Sequence, residues 1–361
     1  MEHYNPLLQS NHSPKFFTIG EIMLRLTPPN YQMVRMANTF EASYGGSEAN
    51  IALSLANLGI DSTFFTVVPN NSLGKSAVRM LRSHDVHCSP VILSTMEETP
   101  SHRLGTYYLQ TGYGIRPSKV TYDRKHSAIT EYDFSKVDLD QLLEGYDWLH
   151  LSGITPALGS NCRDLIINCL KVAKEKGMTV SYDGNFRSTL WTWEEARDFC
   201  TECLPYVDVL FGIEPYHLWN DENDHSKGDV KDGVPFQPNY EQQDEVFRAF
   251  VKRYPNIKCI ARHVRYAHTG SENSLKAFMW YQGHTFESRL FTFNILDRVG
   301  GGDAFASGLI YAMMKGFKPM DMVNFAVASS VLKHTIHGDA NITDNAQSII
   351  NLMNMNYDIK R

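Results

Sequence analysis

The sequence predicts an α/β domain in three layers, with helices on both faces of a mainly parallel sheet, plus a small separate β-sheet. Three observations carry this. Strand-like and helix-like segments alternate through most of the chain, as in successive β–α crossovers. Strands such as residues 148–152 (Trp-Leu-His-Leu-Ser) have the composition of buried strands. Residues 24–44 and 99–128 break the alternation: they are polar and aromatic and lack a helical period.

In chain order, residues 16–19 form a first strand that ends at Gly20-Glu21. Residues 24–44 read as strand-like. Gly45-Gly46-Ser47-Glu48-Ala49-Asn50 then opens a helix through residues 51–58, with Gly59 as its C-cap. Residues 63–68 are a strand, 74–83 a helix, and 86–93 lead into another strand. Between 99 and 122, Tyr107, Tyr108, Tyr113 and Tyr122 alternate with small and polar residues, with turns at Gly112 and Gly114. These are antiparallel strands, and with 24–44 they suit a sheet that covers a polar ligand. Helix 165–176 is capped by Gly177 and followed by strand 179–183. Asp183, Asn185 and Arg187 cluster after that strand, at the carboxyl edge where open α/β sheets bind ligands. Strand 207–211 ends at Gly212-Ile213-Glu214, and residues 220–240 form a polar surface loop. A helix at 246–254, a strand at 258–262 and a hairpin at 277–280 and 285–291 follow. Helices near 303–315, 321–335 and 343–354 complete the chain.

The pivot is Asp297-Arg298-Val299-Gly300-Gly301-Gly302-Asp303-Ala304-Phe305. Three glycines lead directly into a helical pattern. A glycine turn opening a helix aims unpaired N–H groups and the positive end of the helix dipole at one spot, which suits an anion such as phosphate. Asp303 is out of place there unless it has a task, and accepting a proton from an attacking hydroxyl is one.

Composition sets further bounds. The chain has 361 residues, 43% hydrophobic and 20% charged, which is ordinary for a globular protein. A net charge of −6 gives no basic footprint for nucleic acid, so an anionic ligand needs local arginines. The six cysteines are scattered, and Cys200-x-x-Cys203 lies in an amphipathic helix without a second pair, so they read as buried thiols. No apolar run reaches the ~18 residues of a membrane span, and residues 1–15 lack a signal-peptide core. The expectation is a cytoplasmic protein with a loose tail at 1–14.

Two motifs carry a resemblance: Gly45-Gly46-x-x-x-Asn50 and Asp297-x-x-Gly300-Gly301-Gly302-Asp303-x-Phe305. In this order and spacing, the chain resembles the ribokinase-like (PfkB) carbohydrate kinases over roughly residues 16 to 355. Residues 148–154, Tyr122-Asp123-Arg124-Lys125 and Asp183-x-Asn185-x-Arg187-x-x-Leu190-Trp191 bring it closest to the 2-keto-3-deoxygluconate kinase branch. The resemblance implies one kinase domain over 15–355 with a lid formed by 24–44 and 99–128. It implies transfer of the ATP γ-phosphate to the 6-hydroxyl of 2-dehydro-3-deoxy-D-gluconate. Asp303 would be the base, Gly300, Gly301 and Gly302 the anion hole, and Mg2+ would bridge the phosphates. Gly45, Gly46 and Asn50 would hold sugar hydroxyls. Arg187, with Tyr108, Tyr122 and Arg124, would hold the carboxylate and keto end, with Tyr107 as a substitute for Tyr108. Asp183, Asn185 and Glu214 would face phosphate and magnesium. Pairing of lids would give a homodimer or larger homo-oligomer. The arginines have their own logic: a sugar acid approaching a negatively charged protein needs a fixed guanidinium.

Three regions depart from the family pattern. Ile213 and Tyr216 flank Glu214 where an Asn and a second Glu are usual, Arg298 stands in the signature, and residues 261–276 do not follow the usual nucleotide-side pattern. Residues 324–341 are expected neighbours of the nucleotide. Two other functions stay open: a kinase for a neutral sugar such as fructose, for which Arg124 and Arg187 would be unneeded, and a catalytically silent sensor, which would not need Asp303.

Overall fold

The computed structural model describes residues 13–214 and 239–356. Strand β1 (Lys15–Ile19) enters a large sheet, and β2 (Met23–Thr27) and β3 (Glu41–Gly45) leave it for a small one. Helix α1 (Ser47–Asn57) leads back to β4 (Asp61–Phe65), beside β1. β5 (Val67–Pro69), α2 (Ser72–Arg82) and β6 (Ile92–Ser94) form a side unit in which the two strands pair in parallel. β7 (Thr106–Gln110) and β8 (Lys119–Asp123) join the small sheet. The short helices α3 (Ala128–Glu131) and α4 (Leu139–Leu142) precede β9 (Trp148–Ser152). Then come α5 (Ser160–Glu175), β10 (Thr179–Asp183), α6 (Trp193–Cys203) and β11 (Val209–Phe211). α7 (Tyr240–Arg253), β12 (Cys259–Ala267), β13 (Glu272–Tyr281), β14 (His284–Glu287) and β15 (Phe291–Asn294) follow. α8 (Gly301–Met314), α9 (Pro319–Lys333) and α10 (Ala346–Met353) come last.

The large sheet runs β14-β13-β12-β11-β10-β9-β1-β4, with β15 also on β13. Every pair from β12 to β4 is parallel, and the pairs made by β13 are antiparallel. The mainly parallel α/β/α expectation therefore holds, with an antiparallel edge. Alternation along the strands explains the layers. Phe16 and Phe64 enter the core under α1, α8 and α9, while the next residues, Phe17 and Phe65, enter the core under α5 and α6. The small sheet runs β3-β2-β7-β8, with β2 and β7 parallel and the outer pairs antiparallel.

Differences from the sequence reading are local. Residues 63–68 split into β4 and β5, because the first part is in register with β1 and the second with β6. The hairpin after β12 is longer than expected, and β14 and β15 pair with opposite ends of β13. α7 begins at Tyr240 rather than 246, because Asn239 and Gln242 form a reciprocal cap. Most of the 220–240 loop, with Tyr216, lies outside the described residues. Cys200 and Cys203 are buried thiols on α6, in no disulfide. Among the described residues, no helix is long and apolar enough to cross a membrane.

His150, in the centre of β9, makes the core sensitive to acid. Its ring is fully buried beside Phe16 and Phe211, with Nδ1 2.8 Å from Ser181 Oγ. Burial lowers its pKa from 6.5 to about 3. A depressed histidine pKa means that the unfolded chain takes the proton first, so stability falls as pH drops below 6.5 until the folded state also protonates. Urea denaturation of wild type and His150→Phe between about pH 7 and about pH 5 should give slopes that differ by up to ~1.4 kcal/mol per pH unit, the wild type losing more stability toward acid. Equal slopes in the two proteins would remove His150 as a contributor.

Candidate active site

A cavity of about 860 Å³ opens at the carboxyl ends of the central parallel strands, between the first turns of α1 and α8. Both turns need glycine. Gly300 has φ +80°, and a Cβ there would lie 1.6 Å from the Asp339 carbonyl oxygen. A Cβ on Gly46 would lie 1.9 Å from the Glu21 carbonyl oxygen. The helices can therefore start where the backbone is closest to its neighbours, and the first turn of α8 presents N–H groups that have no acceptor within the helix.

Asp303 joins the two turns. Its carboxylate accepts from Ser47 Oγ and from Asn50 Nδ2, each at 2.7 Å. Asn185 Nδ2 donates to Ser47 Oγ at 3.0 Å, which extends the chain to the loop after β10. Burial raises the Asp303 pKa above the usual carboxylate range, while the Asn50 and Ser47 hydrogen bonds and the Arg187 charge draw it down. Asp183, at the end of β10, is pushed up to about 7, by burial first and then by the Asp303 charge. Glu48 is buried and raised as well, with its Oε1 held by Ser152 and Thr155.

Most of the sequence-predicted residues meet here. Gly46, Asn50, Tyr122, Arg124, Asp183, Asn185, Arg187, Glu214, Gly300, Gly301, Gly302 and Asp303 all line the cavity. Gly45 stands behind the wall, where its lack of a Cβ admits the Asp339 carboxylate. Asn50 spends one amide hydrogen on Asp303 and one lone pair on the Gly46 N–H, so it positions the base as much as it faces a ligand.

Two expectations need correction. Tyr108 is not in the cavity. Alternation along β7 turns it outward onto Phe40, ring centroids 6.0 Å apart, and turns Tyr107 inward onto Asp339 and beside Tyr122. Arg124 is not a free cation. It packs over the Tyr122 ring, and its Nε and Nη2 both donate to the buried Glu21. Arg187 fits the expectation better. It is exposed to the cavity, donates to the Asn185 and Phe186 carbonyls, and meets no carboxylate among the described residues.

The sequence reading missed the partners of these groups. Glu21 follows the first strand and neutralises Arg124. Asp339 accepts from Tyr107 and from Arg25, whose other nitrogen donates to Asp297. Arg262 pairs with Glu214 at 3.0 Å, and Ile213 beside it is buried. No three metal-ligating side chains converge on one point among the described residues.

The model of the pfkB family carbohydrate kinases matches residues 13–225. A crystal structure of the 2-dehydro-3-deoxygluconokinase of Thermotoga maritima is 37% identical and superposes with a TM-score of 0.84, covering 94% of this chain and 99% of that one. The 2-dehydro-3-deoxygalactonokinase of Haloferax volcanii is 29% identical over 89% of this chain and 91% of its own. The 2-dehydro-3-deoxygluconokinase of Bacillus subtilis is 25% identical over 89% of this chain and 90% of its own. With both glycine turns meeting at one carboxylate and more than half of its length matched by the family model, the chain belongs to the pfkB family of carbohydrate kinases.

Proposed function

We propose that the protein transfers the γ-phosphate of ATP to the 6-hydroxyl of a 2-keto-3-deoxy sugar acid, 2-dehydro-3-deoxy-D-gluconate. The observation that carries this reading is Asp303, held by Ser47 and Asn50 of α1 at the Gly300–Gly302 turn, with the Arg187 charge nearby. Asp303 takes the hydroxyl proton, the sugar oxygen bonds to phosphorus, and the bond to the β-phosphate breaks as ADP leaves. The turn's N–H groups face the charge that develops on the transferring oxygens. The raised carboxyl pKa makes Asp303 a better proton acceptor than an ordinary aspartate.

A magnesium ion carried in by the ATP phosphates suits this cavity better than a resident ion. The carboxylates on offer are Asp183, which burial disfavours in its charged form, and Glu214, which already accepts from Arg262. The ion would offset phosphate charge, and these side chains would face it.

Arg187 is assigned to the substrate carboxylate, because Arg124 is already neutralised by Glu21. Arg187→Ala should raise the KM for the sugar acid ~10-fold or more, the size of one lost charge-assisted contact, and leave the KM for ATP nearly unchanged. A change in the ATP KM alone would move Arg187 to the other substrate. The reading as a whole is tested by ADP release with magnesium–ATP and four acceptors: 2-keto-3-deoxygluconate, its galactonate epimer, fructose and ribose. Turnover on the keto-deoxy acids alone supports it, and the epimers compete directly in the same assay. Turnover on fructose or ribose overturns the substrate class, and ATP binding without turnover favours a sensor.

A further inference from the structure

We infer that Arg265 and Arg298 form a second cationic site in the cavity, a clamp for the polyphosphate of the nucleotide. The inference rests on the reading of ATP as phosphate donor.

The charges lining the cavity show why. Arg124 is neutralised by Glu21, Arg262 by Glu214, and Asp339 by Arg25. Asp303 is held by Ser47 and Asn50, and Glu48 by Ser152 and Thr155. Arg265, on β12, and Arg298, immediately before the glycine turn, also line the cavity, yet neither meets a carboxylate among the described residues. They are close enough to repel each other. Arg265 is exposed along the cavity and Arg298 half-buried; partial desolvation lowers both, and the Arg298 charge lowers Arg265 further, to about 10. Two like charges facing one space with no counter-ion favour an anion with more than one charge.

Their position chooses between the substrates. The Arg187 charge is felt at Asp183 and Asp303, beside the base. The Arg265 charge is felt at His263 and His334, and that of Arg298 at His334. Those two rings pack against the turn: a Cβ on Gly301 would meet His334 at 2.4 Å, and one on Gly302 would come within 3.8 Å of His263, on β12 two strands along the sheet from the β10 that leads to Arg187. The cavity therefore has two cationic ends, one after β10 and one at β12 and the residues before the glycine turn. The end with the base suits the acceptor, and the end without it suits the donor's phosphates. Arg298, a departure from the signature pattern, and Arg265, in the stretch that departs on the nucleotide side, then fit one arrangement.

Titration calorimetry of the whole chain with magnesium–ATP, AMP and 2-keto-3-deoxygluconate tests this. Arg265→Met and Arg298→Met should each weaken ATP binding ~10-fold or more, by the loss of one charged contact, and flatten its salt dependence. AMP and sugar-acid affinity should stay within about twofold of wild type by the same measure. Arg298→Lys keeps the charge and should retain most of the ATP affinity. It also separates a lost charge from a misfolded turn. Equal ATP affinity in wild type and both methionine variants overturns the clamp and leaves the donor reading intact. A loss confined to the sugar acid also overturns it and assigns both arginines to the acceptor. A wild-type protein that does not bind ATP overturns the donor reading together with the clamp.

Discussion

Asp303→Asn should lower turnover at least ~10²-fold at saturating ATP and sugar acid, with ATP affinity close to wild type. The substitution keeps the side chain's size and removes its basicity. Ser47 can still donate to the amide oxygen, but Asn50 would then point its NH2 at another NH2, so one hydrogen bond is lost. That loss costs about 0.5–1.5 kcal/mol of stability. It is partly offset, because a half-buried carboxylate whose charged form is disfavoured has been removed. A small change in stability combined with a large fall in kcat is the signature of a base. Stopped assays for kcat and calorimetry for ATP separate the two effects. Near-normal turnover in this variant would show that the proton leaves by another route and that Asp303 serves only to join α1 to α8.

The same carboxylate shows what was legible in the sequence. Glycine turns, caps and apolar periods are local, so β1, β9, β10 and the helix after Gly300 were read close to their true bounds, while α1 starts at Ser47, a turn before the expected residue 51. The two motifs placed Asp303 and Asn50 at one site because both open helices at the same sheet edge, and Arg187 joins them from the loop after β10. Two kinds of information were missing. A strand shows its side chains to opposite faces with a period of two, so a one-residue uncertainty in β7 was enough to exchange Tyr108 for Tyr107. Pairing between distant segments leaves no local mark. Glu21 and Arg124 are 103 residues apart, and Arg25 and Asp339 are 314 apart. Arg124 therefore read as a free cation when its charge was already balanced.

Arg25→Met should cost about 3–5 kcal/mol, because it leaves two buried carboxylates without their shared partner. Arg25, Asp297 and Asp339 are 4%, 1% and 5% exposed. Fully buried Lys333 remains nearby, with its Nζ 3.3 Å from the Asp297 and Ile336 carbonyl oxygens, but it cannot replace a two-pronged guanidinium. Burying such a network gains little stability over an apolar core of the same shape, so its use lies in register. Asp297 also accepts from the Val299 and Gly338 N–H groups, and the Asp339 carbonyl lies against Gly300. Arg25 thus fixes the small sheet, through β2, to the glycine turn that opens α8. Urea denaturation should show the stability loss, and kinetics under folding conditions should show a lower kcat, because the turn is displaced by a fraction of an ångström. Combining Arg25→Met with Asp297→Asn and Asp339→Asn removes the stranded charges and should restore part of the stability without restoring kcat. If kcat returns together with stability, the network holds the fold and has no separate part in aligning the turn.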